Sequence, residues 1–373
     1  MSSRTLWGHT IYATAWVSTS VLSICTGFPR TSTADRQRLD APLFLCGYGN
    51  NNLVFLGILR PLTDEKLEKI LVMMSTYNGE HFLRTQLDCI FQQVRLEVYL
   101  LVRDDGSTDD TVNILNSYRQ QYPQMEVLMG ENIGVIRSYY KLLDYAVGNY
   151  VGFKYFAFSD QDDFWYPEKL IRAVEKNVNN ADNFFYHSCY EIADKNMNVI
   201  TQSLLERSTG TLGEAIVSNP TIGFSEVFSY SILKNAAKIS NYKLENEHYY
   251  PYHDLWVYLV AQATKATIVF DGYCGAIYRQ HGMNVIGTGR SFLSTLTLQI
   301  SNLLRTKNLK SGFAGILLDI IDVENDVYEI LSKVRDYKKS WRNRLALMRD
   351  KNFRTNYMLR NLGFRFSVLI GLF

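Results

Sequence analysis

The sequence predicts an α/β fold, a mainly parallel sheet flanked by helices with a helical C-terminal tail. Short apolar runs alternate with stretches of helical spacing from Lys69 onward, and each run ends in a polar cluster. Strand–helix–strand alternation gives right-handed crossovers and a mostly parallel sheet. In such sheets ligands bind beyond the carboxyl ends of the strands.

The first run, Ile70 to Met74, reads as a buried strand that ends in Ser75-Thr76-Tyr77-Asn78-Gly79. Phe82, Leu83, Leu87, Ile90 and Phe91 then follow helical spacing. Val98 to Val102 is the second strand, closed by Asp104-Asp105-Gly106-Ser107, and Thr108 to Tyr118 the next helix. Glu126 to Met129 and Ile136 to Ala146 repeat the pair. Tyr155 to Phe158 is a fourth strand, ended by Ser159-Asp160-Gln161-Asp162-Asp163. Further on, Phe184 to Ser188, Thr267 to Phe270 and Gly275 to Tyr278 read as strands, and Leu212 to Val217 and Asp254 to Ala263 as helices. From Phe292 the text reads as helices only.

With 373 residues, 47% of them hydrophobic, the chain can bury a large core, and 20% charged residues argue against bulk disorder. Five cysteines without a CxxC pair fit neither a disulfide framework nor a zinc site, and a reducing cytoplasm suits them. Residues 1–65 read as a leader outside the fold, disordered or weakly ordered; the stretch Leu6 to Phe28 lacks charge but is too rich in Thr, Ser and Gly for a strong membrane span. The expected division is thus 1–65, a catalytic domain at 66–290 and a basic helical region at 291–373. Between Lys333 and Arg365 there are eleven Lys or Arg against two Asp, on a chain of net charge +2. A basic tail on an acidic body suits an anionic membrane surface, and Arg360 to Phe373 mixes Arg with Phe, Leu, Val and Ile as an interfacial helix does. Peripheral attachment to the inner face of the cytoplasmic membrane is expected, and no nucleic-acid partner.

Two carboxylates as close as Asp160 and Asp162 repel unless a cation lies between them, and hard oxygen ligands suit Mg²⁺ or Mn²⁺. Asp104 or Asp105 is placed to accept a hydrogen bond from a base ring N–H. Asp254 opens an apolar helix, where it is either a cap or a general base. In the turn Tyr278-Arg279-Gln280-His281, His281 is a candidate metal ligand and Arg279 a candidate phosphate contact. Phosphate loops of the Walker or dinucleotide type, the hydrolase elbow and the zincin motif are all missing from the sequence.

Six segments in this order resemble glycosyltransferase family 2, with its GT-A fold: ILVMMSTYNG from Ile70, VRDDGSTDDT from Val102, GENIG from Gly130, FSDQDDFWYPEKL from Phe158, HDLWVYLVA from His253 and YRQHGMNVIG from Tyr278. The flavour is similar to bacterial rhamnosyltransferase-like members. The resemblance implies an inverting, metal-dependent transfer of a sugar, with L-rhamnose from dTDP-rhamnose as the subgroup's donor, to a hydroxyl of a cell-surface glycan or lipid-linked saccharide. It implies nucleoside and donor contacts at Ser75, Tyr77, Asn78, Asp104, Asp105, Asp160 and Arg279. The metal ligands it implies are Asp160, Asp162 and His281, and the base is Asp254. Where the family has a small residue followed by Cys near the acceptor pocket, this chain has Gly223-Phe224. The competing classes are a nucleotidyltransferase-like enzyme, which would need a Gly/Arg/Lys-rich loop after the first strand, and a non-catalytic membrane scaffold.

Overall fold

The computed structural model describes residues 67–203, 210–241, 251–280 and 309–373. The chain divides into two units, Met1–Glu65 and Lys66–Phe373. The first unit and residues 281–308 lie outside the described residues, and with them the sequence expectations for the leader and for His281.

The central sheet has seven strands: β1 (Lys69–Thr76), β2 (Glu97–Asp104), β3 (Met125–Met129), β4 (Tyr155–Ser159), β6 (Phe184–Ser188), β9 (Val227–Ser229) and β10 (Thr267–Asp271). Their order is β10-β6-β9-β4-β1-β2-β3. β1 pairs in parallel with β2 and β4, β2 with β3, and β6 with β10. β9 is the exception and runs antiparallel to both β4 and β6. A second sheet, ordered β5-β11-β7-β8, joins β5 (Phe164–Trp165), β11 (Ala276–Arg279), β7 (Glu191–Ala193) and β8 (Val199–Gln202).

Successive residues of a strand point to opposite faces, and β1 shows the result. Leu71 and Met73 belong to one core with Tyr139, Leu142 and Leu143 of α3 (Val135–Asn149) and Trp256 of α7 (His253–Ala263). Ile70, Val72 and Met74 belong to the other, with Leu83, Leu87 and Ile90 of α1 (Leu83–Phe91) and Ile114 of α2 (Thr111–Gln121). All five β1 residues are fully buried, each contributing about 1.5–3 kcal/mol. Burial on both faces explains why β1 reads as a continuous apolar run without alternation.

Among the described residues from 309 on, the regular elements are helices and short 3₁₀ turns, as the sequence predicts. α8 (Leu309–Ile320), α9 (Asn325–Asp336), α10 (Trp341–Arg349) and α11 (Met358–Ile370) do not stand apart. Phe313, Leu317, Leu331, Tyr337, Phe353, Phe364 and Val368 share the core of α3 and α7, so the tail is packed onto the sheet's helical layer. The remaining helices are α4 (Lys169–Glu175), α5 (Leu212–Val217) and α6 (Tyr230–Ala237).

Candidate active site

Three strand ends and one helix start build the site, and the first turn of α3 ties them together. At the end of β1, Ser75 donates to Ser138 of α3 at 2.6 Å. At the end of β2, the Arg103 guanidinium donates to Asp105 and, at 3.0 Å, to the same Ser138 hydroxyl. The next residue of α3, Tyr139, donates to Asp160 at 3.2 Å and to the Ser159 carbonyl at 2.7 Å, both at the end of β4. Its ring stacks on His253 with centroids 3.6 Å apart, and His253 starts α7 immediately before Asp254.

The loop after β1 is rigid for local reasons. The Tyr77 amide donates to Gln161 at 3.0 Å, and the Gln161 amide returns a bond to the Tyr77 carbonyl at 3.1 Å. Asn78 sits at φ 47°, a left-handed conformation that Asn tolerates, and its side-chain oxygen accepts from the Thr108 amide at 2.9 Å. A Cβ on Gly79 would lie 2.3 Å from the Gln161 side-chain oxygen, so a larger residue there would displace the Gln161 amide from Tyr77. Tyr77 itself is 46% exposed, leaving its ring available for stacking.

The two acids after β2 serve the loop they sit in. Asp104 is fully buried and accepts from Thr76, from the Gly106 and Ser107 amides and from the Ser107 hydroxyl. Both of its oxygens are engaged inside the protein, so Asp104 frames the loop that follows β2. Asp105 accepts from Arg103 and from the amides of Ile133 and Gly134 at 2.9 and 2.8 Å. Gly134, at φ 84°, is the residue before α3, so Asp105 fixes where that helix begins. Replacing Asp105 by Ala leaves the buried Arg103 without its carboxylate, a loss of about 3–5 kcal/mol. Urea unfolding should show it; an unmoved midpoint would mean the pair stabilises nothing.

Asp160 and Asp162 follow β4 and are half-buried, while Asp163 is buried. Burial first, and then the Asp162 and Asp254 charges, push the Asp160 carboxyl up, against the hydrogen bond from Tyr139. Asp163 is likewise raised, by burial and then by Asp160 and Asp162. Burial draws the neighbouring Lys169 down to about 7, with the Asp163 charge opposing. Its ammonium lies 3.8 Å from the centre of the Trp165 ring. A divalent cation would relieve the raised Asp160 carboxyl beside Asp162, so the donor chemistry fits Mg²⁺ or Mn²⁺. Among the described residues no group of three or more His, Cys, Asp or Glu is placed to hold a metal ion.

Asp254 lies in the first turn of α7, accepting from the Leu255 amide at 2.7 Å and from Asn219 at 3.1 Å. Burial pushes its carboxyl up to about 6, and those two hydrogen bonds hold it from going further. Glu226, fully buried and raised by burial and by the Asp254 charge, is a second carboxyl in this region. Arg279 ends β11 with its guanidinium 4.8 Å from the Phe82 ring centre. Since β11 pairs antiparallel with β5, its end is carried back alongside Asp163 and Asp162.

Sequence reading missed Ser138, Tyr139, Asn219 and Glu226. The helical spacing of Ile136 to Ala146 marks Tyr139 as core but cannot say that its hydroxyl reaches Asp160. Gly223 has a visible cause: a Cβ there would sit 2.7 Å from the His253 ring. That ring cannot retreat, being stacked on Tyr139 and edge-on to Phe158 at 4.6 Å. Gly223→Ala should therefore cost about 1–3 kcal/mol of stability and lower turnover by shifting the start of α7. Wild-type melting and wild-type kinetics together would refute this.

The sheet order and its flanking helices are those of the GT-A fold. Residues 71–235 match the family model for glycosyl transferase family 2. Over 228 residues, 59% of this chain and 75% of the relative, the sequence is 29% identical to the dTDP-rhamnosyl transferase RfbG of Shigella flexneri. It is 31% identical over 152 residues to the uncharacterized glycosyltransferase YibD of Escherichia coli, a match that spans 39% of this chain and 41% of that one. Among solved structures, S. aureus TarS 1-349 in complex with UDP-GlcNAc superposes with a TM-score of 0.51 at 17% identity, covering 80% of this chain and 81% of that one. The chain therefore carries a glycosyl transferase family 2 domain over residues 71–235.

Proposed function

We propose that this protein transfers a sugar, with inversion, from a nucleoside-diphosphate-sugar to a hydroxyl of a glycan or lipid-linked saccharide. The donor we assign is dTDP-rhamnose, on the strength of the likeness to the Shigella flexneri enzyme. The observation that carries the reading is that Tyr139 bonds Asp160 and stacks on His253, next to Asp254, whose charge helps to raise the Asp160 carboxyl.

In this reading Tyr77 stacks on the nucleoside, with Ser75, Asn78 and Asp105 shaping the wall behind it, and Arg279 faces the phosphates. Asp160 and Asp162 would hold the divalent cation, with His281 a further candidate, and the cation would neutralise charge building on the departing diphosphate. The acceptor oxygen attacks the anomeric carbon as the bond from that carbon to the diphosphate oxygen breaks. The hydroxyl proton passes to Asp254, which faces the sugar from the opposite side to the leaving group. Tyr139 holds Asp160 and His253 in fixed relation, so the two ends of the displacement keep their spacing.

Thermal stabilisation against a panel of nucleotide-sugars, with and without Mn²⁺, tests the reading. At a hundredfold excess over the dissociation constant the right donor should add about 2.7 kcal/mol. Equal midpoints across the whole panel would sink it.

A further inference from the structure

The outer face of α11 is apolar and open. Met358, Leu359, Leu362, Phe366, Leu369 and Ile370 fall within about a third of the helix circumference at 3.6 residues per turn. All six are exposed, Leu359 by 82%, Met358 by 74% and Phe366 by 56%. The opposite face, with Phe364, Ser367 and Val368, is buried against the protein. The helix therefore has two apolar sides, and folding accounts for only one of them. Single exposed hydrophobic residues are ordinary, but a contiguous stripe with a charged rim marks a binding surface.

The rim identifies the occupant. From residue 351 to 373 the sequence has no Asp or Glu and four basic residues, Lys351, Arg354, Arg360 and Arg365. Arg354 and Arg365 line a shallow cleft of about 400 Å³ together with Asn356, Asn361 and the stripe residues Met358 and Leu362. Guanidinium groups beside aliphatic side chains suit a phosphate headgroup above an acyl chain, and a helix of this kind lies in the interface plane. No described helix is long and apolar enough to cross a membrane, so contact in the plane is the mode this helix permits. We infer that the outer face of α11 docks on an anionic lipid bilayer.

The same helix reaches the proposed base. Arg360 donates to the Ser218 hydroxyl, and Lys310 to the neighbouring Val217 carbonyl at 2.8 Å. The next residue, Asn219, holds Asp254 at 3.1 Å. A docked α11 thus sits beside the loop that positions Asp254, which suits an acceptor held at the bilayer; this last point rests on the function proposed above.

The test is co-sedimentation of the full chain with vesicles of phosphatidylcholine, with or without an equal part of phosphatidylglycerol. Binding should require phosphatidylglycerol and weaken with salt. Leu359→Glu with Phe366→Glu should lower vesicle affinity at least about tenfold while leaving the melting temperature unchanged, since both side chains already face outward. Arg354→Ala with Arg365→Ala should lower affinity for the anionic vesicles alone by about tenfold. Unchanged binding by the Glu pair would overturn the inference, as would no binding by the wild-type chain. A concentration-dependent dimer that the Glu pair dissolves would also overturn it, giving the face to a second copy. Donor-induced thermal shifts measured without vesicles report on the transferase reading separately.

Discussion

Asp254→Asn is expected to abolish transfer, keep donor affinity and yield a more stable protein above pH 6. The catalytic loss follows from the role: a positioned base is worth about 10²–10⁴ in rate, and an amide cannot take the acceptor's proton. Donor affinity should survive because Asn matches the side chain in size and keeps one oxygen, which still accepts from the Leu255 amide. The stability gain follows from burial, which raises the carboxyl from its ordinary 3.8 to about 6. Between those values the folded protein binds more protons than the unfolded chain, so stability falls as pH rises. The penalty is fully present above about pH 6 and absent below about pH 4. The side chain is only partly buried by surface area, so the gain from Asn is about 1–2 kcal/mol and not the full value of the shift. Melting curves of both proteins at pH 8 and pH 4 would show a gap that closes in acid. In the wild type, kcat/KM should fall about tenfold per pH unit below about pH 6. A variant that turned over normally would remove Asp254 from the base position.

Asp162→Ala should remove the metal-dependent part of donor binding. In the proposed site the two acids after β4 would hold the cation between them and the donor's phosphates, so losing one should weaken cation and diphosphate together. Removal of one fixed charge aimed at developing charge costs roughly 3 kcal/mol, about a hundredfold in rate. Calorimetric titration of the nucleoside diphosphate, with Mn²⁺ and with chelator, separates the two contributions. The wild-type chain should bind much more tightly with Mn²⁺, and the variant should bind alike in both. A variant that kept the Mn²⁺ gain would place the cation elsewhere.

The half of the sheet from β4 to β3 was legible because its signals are local. Each of β1, β2 and β4 is an apolar run ended by a polar cluster, and their parallel pairing follows from the helices between them. Phe184–Ser188 and Leu212–Val217 have the bounds the sequence predicts. The half around β9 is harder. β9 is three residues long, Val227-Phe228-Ser229, too short for a period to show, and it enters the sheet antiparallel between β4 and β6. The second sheet is built from strands of two to four residues that depend on tertiary pairing. At the site, the acids could be named from strand ends. Their connector could not, because Ser138 and Tyr139 look like any buried positions of an amphipathic helix until the fold brings three loops to one turn.

The reversed strand β9 has an evolutionary consequence. Everything on one side of it in the sheet, from β4 to β3, carries loops assigned to the nucleotide, whereas Gly223, Asn219 and Asp254 come from the chain around and after it. Selection for a new acceptor can therefore rework residues 210–271, which stop short of Arg279, without disturbing the strands proposed to read the donor. Grafting that stretch from one relative into another should transfer acceptor preference and leave nucleotide preference with the host, measurable by pairing each chimera with both donors. A graft that switched the nucleotide instead would show the two halves to be one inseparable unit.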